Sequence, residues 1–241
     1  MPVKRVTAVS NQLLSALPKP DRERFIADCS TVDLVRGNVL HEQDHRIGHV
    51  YFPTSSFISM LIHVDEHSEL EVGMIGSEGM CGHEAILGST RAPLRALVQG
   101  AGHAWRMEIT VFRRQLESSL PVRQLLNRYV GILLRQLAQT AACTRFHNVE
   151  QRLARWLLMT ADRAHADSFV VTQEFLSFML GVRRAGVTKA AGALQALDLI
   201  HYTRGQMDIL DRDALVSVAC VCYEADLSSY QRGLSEKTYM T

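Results

Sequence analysis

Histidines recur in the first third of the chain in a pattern that could hold a metal ion. The stretch His41-Glu42-Gln43-Asp44-His45 matches H-E-x-x-H, in which two histidines one helical turn apart bind zinc and the glutamate polarises a zinc-bound water. This chemistry needs a helix, whereas the flanking residues 37–40 and 49–52 are typical of strands. The motif defines an alternative function, a metal-dependent or ligand-sensing enzyme with a helical partner-binding module.

Other candidate metal ligands are scattered along the chain. Five histidines could gather a metal or a haem: His41, His45, His49, His63 and His67. We interpret them as surface residues on turns. On a helix, Cys220 and Cys222 would point about 160° apart, which argues against a shared metal ion and favours core packing. We therefore predict no catalytic residue, no bound metal and no other cofactor.

A cationic cluster in the C-terminal third could do a different kind of chemistry. Arg183 and Arg184 follow Gly181 closely, and Thr188 and Lys189 come about one helical turn later. The dipole at the start of a helix favours anions, so cations and a hydroxyl without carboxylates are unusual there. The phosphate backbone of a DNA duplex would resolve this conflict. The alternative is an ordinary helix whose cations are solvated.

The elements that must position these cations predict a winged helix-turn-helix. Apolar residues at helical spacing run from Phe175 to Leu180 and again from Val187 to Leu197, and Gly181 permits a sharp turn between them. A short hairpin over 201–209 follows, as a wing does. We expect the second helix to read the major groove. The residues predicted to contact DNA are Thr172, Arg183, Arg184, Thr188, Lys189 and Arg204.

The preceding part of the chain predicts a β-roll and a long helix. Glycine-punctuated apolar runs occur at 50–52, 57–62, 70–75 and 94–98. Their spacing of roughly ten residues favours an all-β roll or barrel. Pro121 is well placed to open a helix that ends near residue 145. The fold class is therefore α+β, with a jelly-roll-like N-terminal β-roll and a C-terminal winged helix-turn-helix.

The long helix is apolar on two adjacent faces. One stripe is Leu126, Val130, Leu133, Leu137 and Thr140, and the other is Leu125, Tyr129, Ile132 and Gln136. A helix with two apolar faces needs two partners. We expect these to be the β-roll and the same helix of a second subunit, so that residues 121–145 form a homodimer. Burial of both stripes within one chain is the alternative.

Local signals also predict the domain limits. Asn148 and Gln151 match a capping box that begins the next helix, and Asp211 can cap a final helix that carries Cys222. We therefore predict one domain over 1–145, comprising the β-roll and the dimerisation helix. The second domain, over 146–241, would contain the winged helix-turn-helix and a C-terminal helix.

Composition bounds the remaining possibilities. The 241 residues are 47% apolar and 21% charged, with a formal net charge of only +1. Residues 145–204 hold eight Lys/Arg and five Asp/Glu, a local excess of three positive charges where DNA contact is predicted. No apolar run reaches membrane-spanning length, and an odd count of five cysteines favours reduced thiols. We expect a cytoplasmic protein without a membrane partner.

The order of elements and two sequence stretches resemble the Crp/Fnr family of bacterial transcription regulators. The stretches are VEQRLA at 149–154 and MLGVRR at 179–184, and the resemblance covers about 13–223. Weaker matches lie at 49–52 and 76–80. The resemblance implies a homodimer on a palindromic operator, a ligand-sensing or redox-sensing β-roll with a joint at 145–147, and RNA polymerase as a partner if the protein activates transcription.

The resemblance also places an effector pocket in the β-roll and on the long helix. Its residues would be His83, Glu84, Arg95, Leu137 and Ala138. Members that bind cyclic AMP have Gly-Glu and later Arg-Ser/Thr-Ala, whereas here His83 follows Gly82 and Leu94 takes the place of the phosphate-binding arginine. Without that arginine a buried cyclic phosphate would be an uncompensated charge, so the sequence disfavours a cyclic nucleotide.

Two further departures concern DNA reading and redox sensing. The family's base-reading positions correspond to Arg184, Ala185 and Lys189, so that Ala185 replaces the usual acidic residue that accepts a hydrogen bond from cytosine. The operator of this protein should therefore differ from that of other members. Members with an iron–sulfur cluster have an N-terminal cysteine cluster, whereas Cys29 stands alone.

Overall fold

The computed structural model describes residues 11–65 and 68–235. The chain forms two compact units. Within the described residues, the first unit comprises 11–58, 75–131 and 233–235, and the second comprises 59–74 and 132–232. The domain limits inferred from the sequence, at 145 and 146, stay a prediction.

The elements up to residue 146 begin with two short helices, continue with seven strands and end with two helices. They are α1 (Gln12–Ser15), α2 (Lys19–Ala27), β1 (Ser30–Leu34), β2 (Val39–His41), β3 (His49–Pro53), β4 (Phe57–Asp65), β5 (Ser68–Ile75), β6 (Arg95–Gly100), β7 (Gly102–Glu108), α3 (Ile109–Ser118) and α4 (Leu120–Phe146). A 3-10 helix, His83–Leu87, lies between β5 and β6. The four predicted apolar runs correspond to β3, β4, β5 and β6.

The sequence folds into strands here because alternate side chains are buried. In β3, Val50 and Phe52 are fully buried, whereas His49 and Tyr51 are half-buried. Strands β1, β7 and β3 form an antiparallel sheet in that order, and β2 pairs antiparallel with β6. The Phe25 ring of α2 packs edge-on against Phe52, with 5.3 Å between ring centroids.

A tyrosine on α4 connects this helix to a glycine-rich loop within the first unit. The Tyr129 side chain is fully buried, and its hydroxyl accepts a hydrogen bond from the Met80 backbone N–H at 3.0 Å. A Cβ atom on Gly79 would lie 2.2 Å from that hydroxyl. The loop needs glycine at this position because any larger side chain would displace the tyrosine.

The second half of the chain contains the remaining elements. They are α5 (Val149–Ala164), β8 (Ser168–Val170), α6 (Gln173–Leu180), α7 (Arg184–Ala196), β9 (Ile200–Thr203), β10 (Gln206–Ile209), α8 (Arg212–Val218) and α9 (Cys222–Ser235). The predicted capping box is present, because Asn148 and Gln151 each accept the other's backbone N–H. Strands β8, β10 and β9 form a small antiparallel sheet. The predicted α+β class, with an N-terminal β-rich part and a C-terminal helix-turn-helix, is confirmed.

Two details of the predicted C-terminal part are wrong. The single final helix is two helices, because the chain becomes extended at Ala219 (ψ 155°) between α8 and α9. Leu197, which we assigned to the buried stripe of α7, lies beyond the last helical residue and is 62% exposed. No described helix is both long enough and apolar enough to span a membrane.

A buried carboxyl group lies in the core of the second unit. Glu71 of β5 is 8% exposed, and its Oε1 accepts a hydrogen bond from the Trp156 indole at 2.9 Å. Its other oxygen has no hydrogen-bond partner among the described residues. Burial raises the pKa of Glu71 to about 7, although the Trp156 hydrogen bond and the nearby Arg163 oppose the rise.

We expect this carboxyl to lower the stability of the fold as pH rises. Glutamate in an unfolded chain has a pKa of about 4.3, so the native state holds the extra proton between that pH and about 7, and raising the pH through this window costs roughly 4 kcal/mol. Glu71→Gln keeps an acceptor for Trp156 and carries no charge. The free energy of unfolding of this variant, measured in urea, should therefore rise relative to that of the wild type as the pH increases from 5 to 8.

The matched control is Glu117→Gln, which removes an exposed carboxylate from α3. Its curve of unfolding free energy against pH should run parallel to that of the wild type. If the Glu71→Gln curve is parallel as well, then the carboxyl of Glu71 does not hold its proton in the native state.

Candidate nucleic-acid interface

The two helices of the predicted helix-turn-helix are fixed at both ends by local hydrogen bonds. The Thr172 hydroxyl caps α6 by accepting the backbone N–H of Phe175 at 3.1 Å. Gly181 ends α6 in the left-handed conformation, with φ +60°, which glycine adopts without strain. Arg152 of α5 donates a hydrogen bond to the Leu180 carbonyl at the same end. The turn between α6 and α7 is thereby fixed.

Burial separates the two faces of α7. The apolar face consists of Val187, Ala190, Ala191 and Leu194, all of which are buried. The predicted DNA-contact residues of this helix and its cap are Arg183, Arg184, Thr188 and Lys189, all of which are exposed. Since burial of the apolar face fixes the rotation of the helix, the cations face away from the core of this unit.

The electrostatics at the start of α7 favour an anion. Arg183 is the cap residue, and its side chain makes no capping hydrogen bond. The first turn has no acidic residue. Within the described parts of the chain, Arg183, Arg184 and Lys189 form no ion pair with a carboxylate. The positive end of the helix dipole and these cations therefore both attract an anion to the start of α7.

One polar contact at this surface was not predicted. The Thr188 hydroxyl lies 3.1 Å from Gln173 Oε1 and 3.1 Å from the Arg184 carbonyl oxygen. Gln173 is the first residue of α6, directly after the Thr172 cap, so this contact places the start of α6 beside α7. The sequence offered one signal for this contact: Gln173 is a polar residue at the start of a predicted helix, and the apolar pattern gave it no role.

The predicted wing is present as the hairpin of β9 and β10. Its two turn residues, Arg204 and Gly205, have φ +49° and +83°, as in the tight turns that suit twisted hairpins. Arg204 is exposed at the tip. Two hydrogen bonds hold the wing: Tyr202 N–H to Gln195 Oε1 of α7 at 2.6 Å, and Tyr202 hydroxyl to the Val171 carbonyl at 3.0 Å.

The predicted effector residues differ in their local surroundings. His83 and Glu84 are buried in the 3-10 helix with His83 Nε2 3.6 Å from Glu84 Oε1, and burial lowers the pKa of His83. Arg95 is instead directed to Glu42, with 3.3 Å between Nε and Oε2. Leu137 and Ala138 lie on the exposed side of α4.

The residues of the zinc-protease pattern do not lie on the helix that zinc-protease chemistry requires. His41 ends strand β2, and Asp44 has φ +63°, so no helix carries the two histidines. The His41 ring is nearly buried, with Nε2 2.9 Å from the His49 carbonyl oxygen, and burial lowers its pKa. His41 is therefore a core residue. His67, another of the histidines considered above, lies outside the described residues.

The prediction that Cys220 and Cys222 lie on one helix and point apart is wrong, whereas their predicted packing in the core is confirmed. They lie on either side of the break between α8 and α9, not on one helix, and both are buried. Together with Cys143 and His147 they form a group whose ligand atoms all lie within 4.8 Å of one another. The prediction failed because it assumed a continuous helix.

Comparison with known proteins agrees with this architecture. Residues 151–218 match the profile of the Crp-like helix-turn-helix domain. A search of curated proteins finds no significant match to the sequence. A solved structure from Eubacterium rectale, assigned to the Crp/Fnr family of transcriptional regulators, is 18% identical, with 86% of this chain and 96% of that chain covered and a TM-score of 0.69.

Two other solved structures are similar in fold. The global regulator CLP of Xanthomonas campestris, which responds to c-di-GMP, is 17% identical over 80% of this chain and 99% of its own, with a TM-score of 0.66. FixK2 of Bradyrhizobium japonicum is 12% identical over 80% and 98%, with a TM-score of 0.65. The resemblance inferred from the sequence is confirmed: the chain carries a Crp-like helix-turn-helix domain within the fold of the Crp/Fnr family of transcription regulators.

Proposed function

We propose that the protein is a sequence-specific DNA-binding transcription regulator that acts as a homodimer on a palindromic operator, under the control of an effector. The observation that carries this proposal is the exposed cationic face of α7, which begins without an acidic residue and packs by its apolar face alone. Enzymatic chemistry has no comparable support, since the H-E-x-x-H residues lie on a strand and a turn. A DNA-binding role also fits the predicted cytoplasmic location.

In this proposal α7 lies in the major groove. Arg184 is exposed in its first turn and can donate two hydrogen bonds to the O6 and N7 atoms of a guanine. Lys189 lies further along the exposed side of the helix, and Ala185 offers apolar contact but no acceptor for cytosine. The operator should therefore contain guanine at the position that Arg184 reads.

The flanking contacts would go to phosphate and would carry no sequence information. Thr172 is exposed at the start of α6, where the positive end of the helix dipole favours a phosphate. Arg204 at the tip of the wing can reach the backbone beside the groove. These two contacts would set the orientation of α7 rather than its choice of base.

The dimer is supported by an apolar stripe on α4. Most residues of the two predicted stripes are buried within the chain; Leu137 is instead 39% exposed. A third stripe is exposed and has the spacing i, i+3, i+4, i+7: Leu134, Leu137, Ala138 and Ala141. Leu134 is 63% exposed. The same stripe of a second chain would cover it, and a two-fold axis would match a palindromic operator.

The effector is proposed to act through the β-roll and to differ from cyclic AMP. Arg95, the cation nearest in sequence to the expected phosphate site, is paired with Glu42, and the buried Glu84 oxygens have no hydrogen-bond partner among the described residues. A cyclic phosphate at this place would meet a carboxylate rather than a free guanidinium. If the effector turns the protein into an activator, RNA polymerase becomes a partner.

Selection of bound sequences from a random DNA library tests the proposal directly. We expect an inverted repeat whose half-sites lie about one helical turn, ~34 Å, apart. On that operator, Arg184→Ala should weaken binding by roughly 1–3 kcal/mol and relax the preference at one base pair of each half-site. Arg204→Ala should weaken binding to specific and random DNA alike and lower the salt dependence by about one counterion per subunit.

The control is Lys19→Ala, which removes an exposed cation from α2, far along the chain from the helix-turn-helix. It should leave both affinities unchanged, because Lys19 is not among the residues proposed to contact phosphate or base. Equal losses on operator and random DNA for Arg184→Ala would contradict its base-reading role, and a library that yields no enriched sequence would contradict the proposed function.

The stripe on α4 gives a separate prediction. Leu134→Glu places a charge where the two helices would meet, so we expect the variant to sediment as a monomer in analytical ultracentrifugation while the wild type sediments as a dimer. The control is Leu120→Glu, which changes another exposed leucine of the same helix, 52% exposed at its first residue. A Leu134→Glu variant that remains dimeric would place the interface elsewhere.

A further inference from the structure

Three cysteines and one histidine of the second unit lie together although the sequence separates them. Cys143 lies in the last turn of α4 and His147 directly follows that helix, whereas Cys220 lies in the link between α8 and α9 and Cys222 is the first residue of α9. The three cysteines are almost fully buried, and the histidine is half-buried. The helix-turn-helix contacts described above use none of the four.

Local geometry explains how each pair presents its ligands on one side. The His147 backbone N–H donates to the Cys143 carbonyl at 3.1 Å, so the two side chains lie one helical turn apart on the same face. Between α8 and α9 the chain is extended at Ala219, and Val221 is 73% exposed while the cysteines on either side of it are buried. The link therefore directs both thiols inward.

The distances fit a tetrahedral metal site. Cys143 Sγ lies 3.5 Å from Cys220 Sγ, and Cys222 Sγ lies 3.4 Å from His147 Nδ1. In a zinc tetrahedron with bonds of about 2.3 Å to sulfur and about 2.0 Å to nitrogen, neighbouring ligand atoms are roughly 3.5–3.8 Å apart. The largest separation here, up to 4.8 Å, needs only a small side-chain adjustment.

We propose that Cys143, His147, Cys220 and Cys222 bind one Zn²⁺ ion. Three thiolates and one imidazole are a ligand set typical of structural zinc, which is four-coordinate and leaves no open position. The ion would join the end of α4 to the link between α8 and α9. No water position remains in such a site, so its role is structural or regulatory rather than catalytic.

The surroundings of the four ligands suit the charge that zinc would leave. Three thiolates with Zn²⁺ carry one net negative charge, and the Arg155 guanidinium lies against the Cys143 thiol. Arg155 is fixed by an ion pair with Asp226 of α9, at 2.5 Å. Gln139 Nε2 donates to Cys222 Sγ at 2.9 Å, the kind of outer hydrogen bond that orients a metal ligand.

A disulfide between Cys143 and Cys220 is the competing chemistry, since their sulfur atoms are 3.5 Å apart. It would use two of the four residues and leave Cys222 and His147 unexplained. Disulfides are also rare in the reducing compartment where a bacterial DNA-binding protein works, whereas clustered cysteines there more often bind metal. Zinc accounts for all four positions.

The site lies at the place where the sequence resemblance puts the joint, residues 145–147. Removal of the ion would leave buried thiols without a common partner and loosen the contact between the end of α4 and α9. Any effect on DNA affinity rests on the function proposed above. Metal content and ligand spectroscopy do not involve DNA, so they test the site whether or not that function holds.

The experiment uses the full-length protein purified with a thiol reductant. Elemental analysis should find one zinc per chain, and Cys222→Ser and His147→Ala should lose most of it. The controls Cys29→Ser and His165→Ala remove the same residue types elsewhere and should keep it. After zinc is removed with a chelator, Co²⁺ added to the wild type should produce thiolate-to-cobalt charge-transfer bands and the intense visible bands of tetrahedral cobalt.

The cobalt spectrum of the wild type keeps the proposal testable even if a variant fails to fold. Three results would overturn it: wild-type protein without zinc and without the tetrahedral cobalt spectrum, folded Cys222→Ser and His147→Ala variants that keep full zinc content, or a Cys143–Cys220 disulfide in protein isolated under reducing conditions.

Discussion

The function proposed for this chain depends on the burial of one face of α7. This face consists of four buried apolar residues, Val187, Ala190, Ala191 and Leu194. Burial of each of the larger side chains stabilises the fold by about 1.5–3 kcal/mol. This free energy fixes the rotation of the helix and therefore the direction of Arg184 and Lys189. Cations at the start of a helix oppose its dipole, so the arrangement is most stable when an anion lies beside them.

The position of α7 is fixed by local backbone geometry and hydrogen bonds, and not by helix propensity alone. Gly181 ends α6 with a positive φ, Arg152 bonds the last carbonyl of that helix, and Tyr202 connects the wing to α7. Each feature orders a few residues and leaves the cationic side chains free. A DNA reader needs a fixed helix axis, because contacts to base edges carry the specificity and depend on how the helix is placed in the groove.

The sequence predicted those parts of the structure that depend on neighbours along the chain. The capping box at Asn148, the turn at Gly181 and the hairpin at Gly205 follow from local hydrogen bonding and from the φ angles that glycine permits. Four strands of the β-roll were predicted where glycine-punctuated apolar runs recur at roughly ten-residue spacing. Strands β1, β2 and β7 were not predicted individually, because their register with partners far along the chain fixes them more than their own composition does.

Where prediction failed, the deciding contact was distant or the helix was broken. Nothing in the sequence near Cys220 indicates that α8 ends two residues earlier, and the partners Cys143 and His147 belong to another helix. Helical periodicity was equally unable to identify the exposed stripe of α4. It detects apolar faces, but only the packed structure shows that Leu134 stays exposed while Leu125 and Tyr129 are buried.

Three groups in the second unit suit partners of different kinds. The cations of α7 form no ion pair with a carboxylate among the described residues, the Leu134 stripe is exposed, and three thiols and an imidazole lie within 4.8 Å of one another. The partners proposed for them are DNA, a second chain and zinc. The stripe lies on α4, and so does one proposed zinc ligand, Cys143 in its last turn; a second ligand, His147, follows the helix directly. An ion held there would therefore restrain the same helix whose proposed pairing would set the spacing of two α7 helices on an operator.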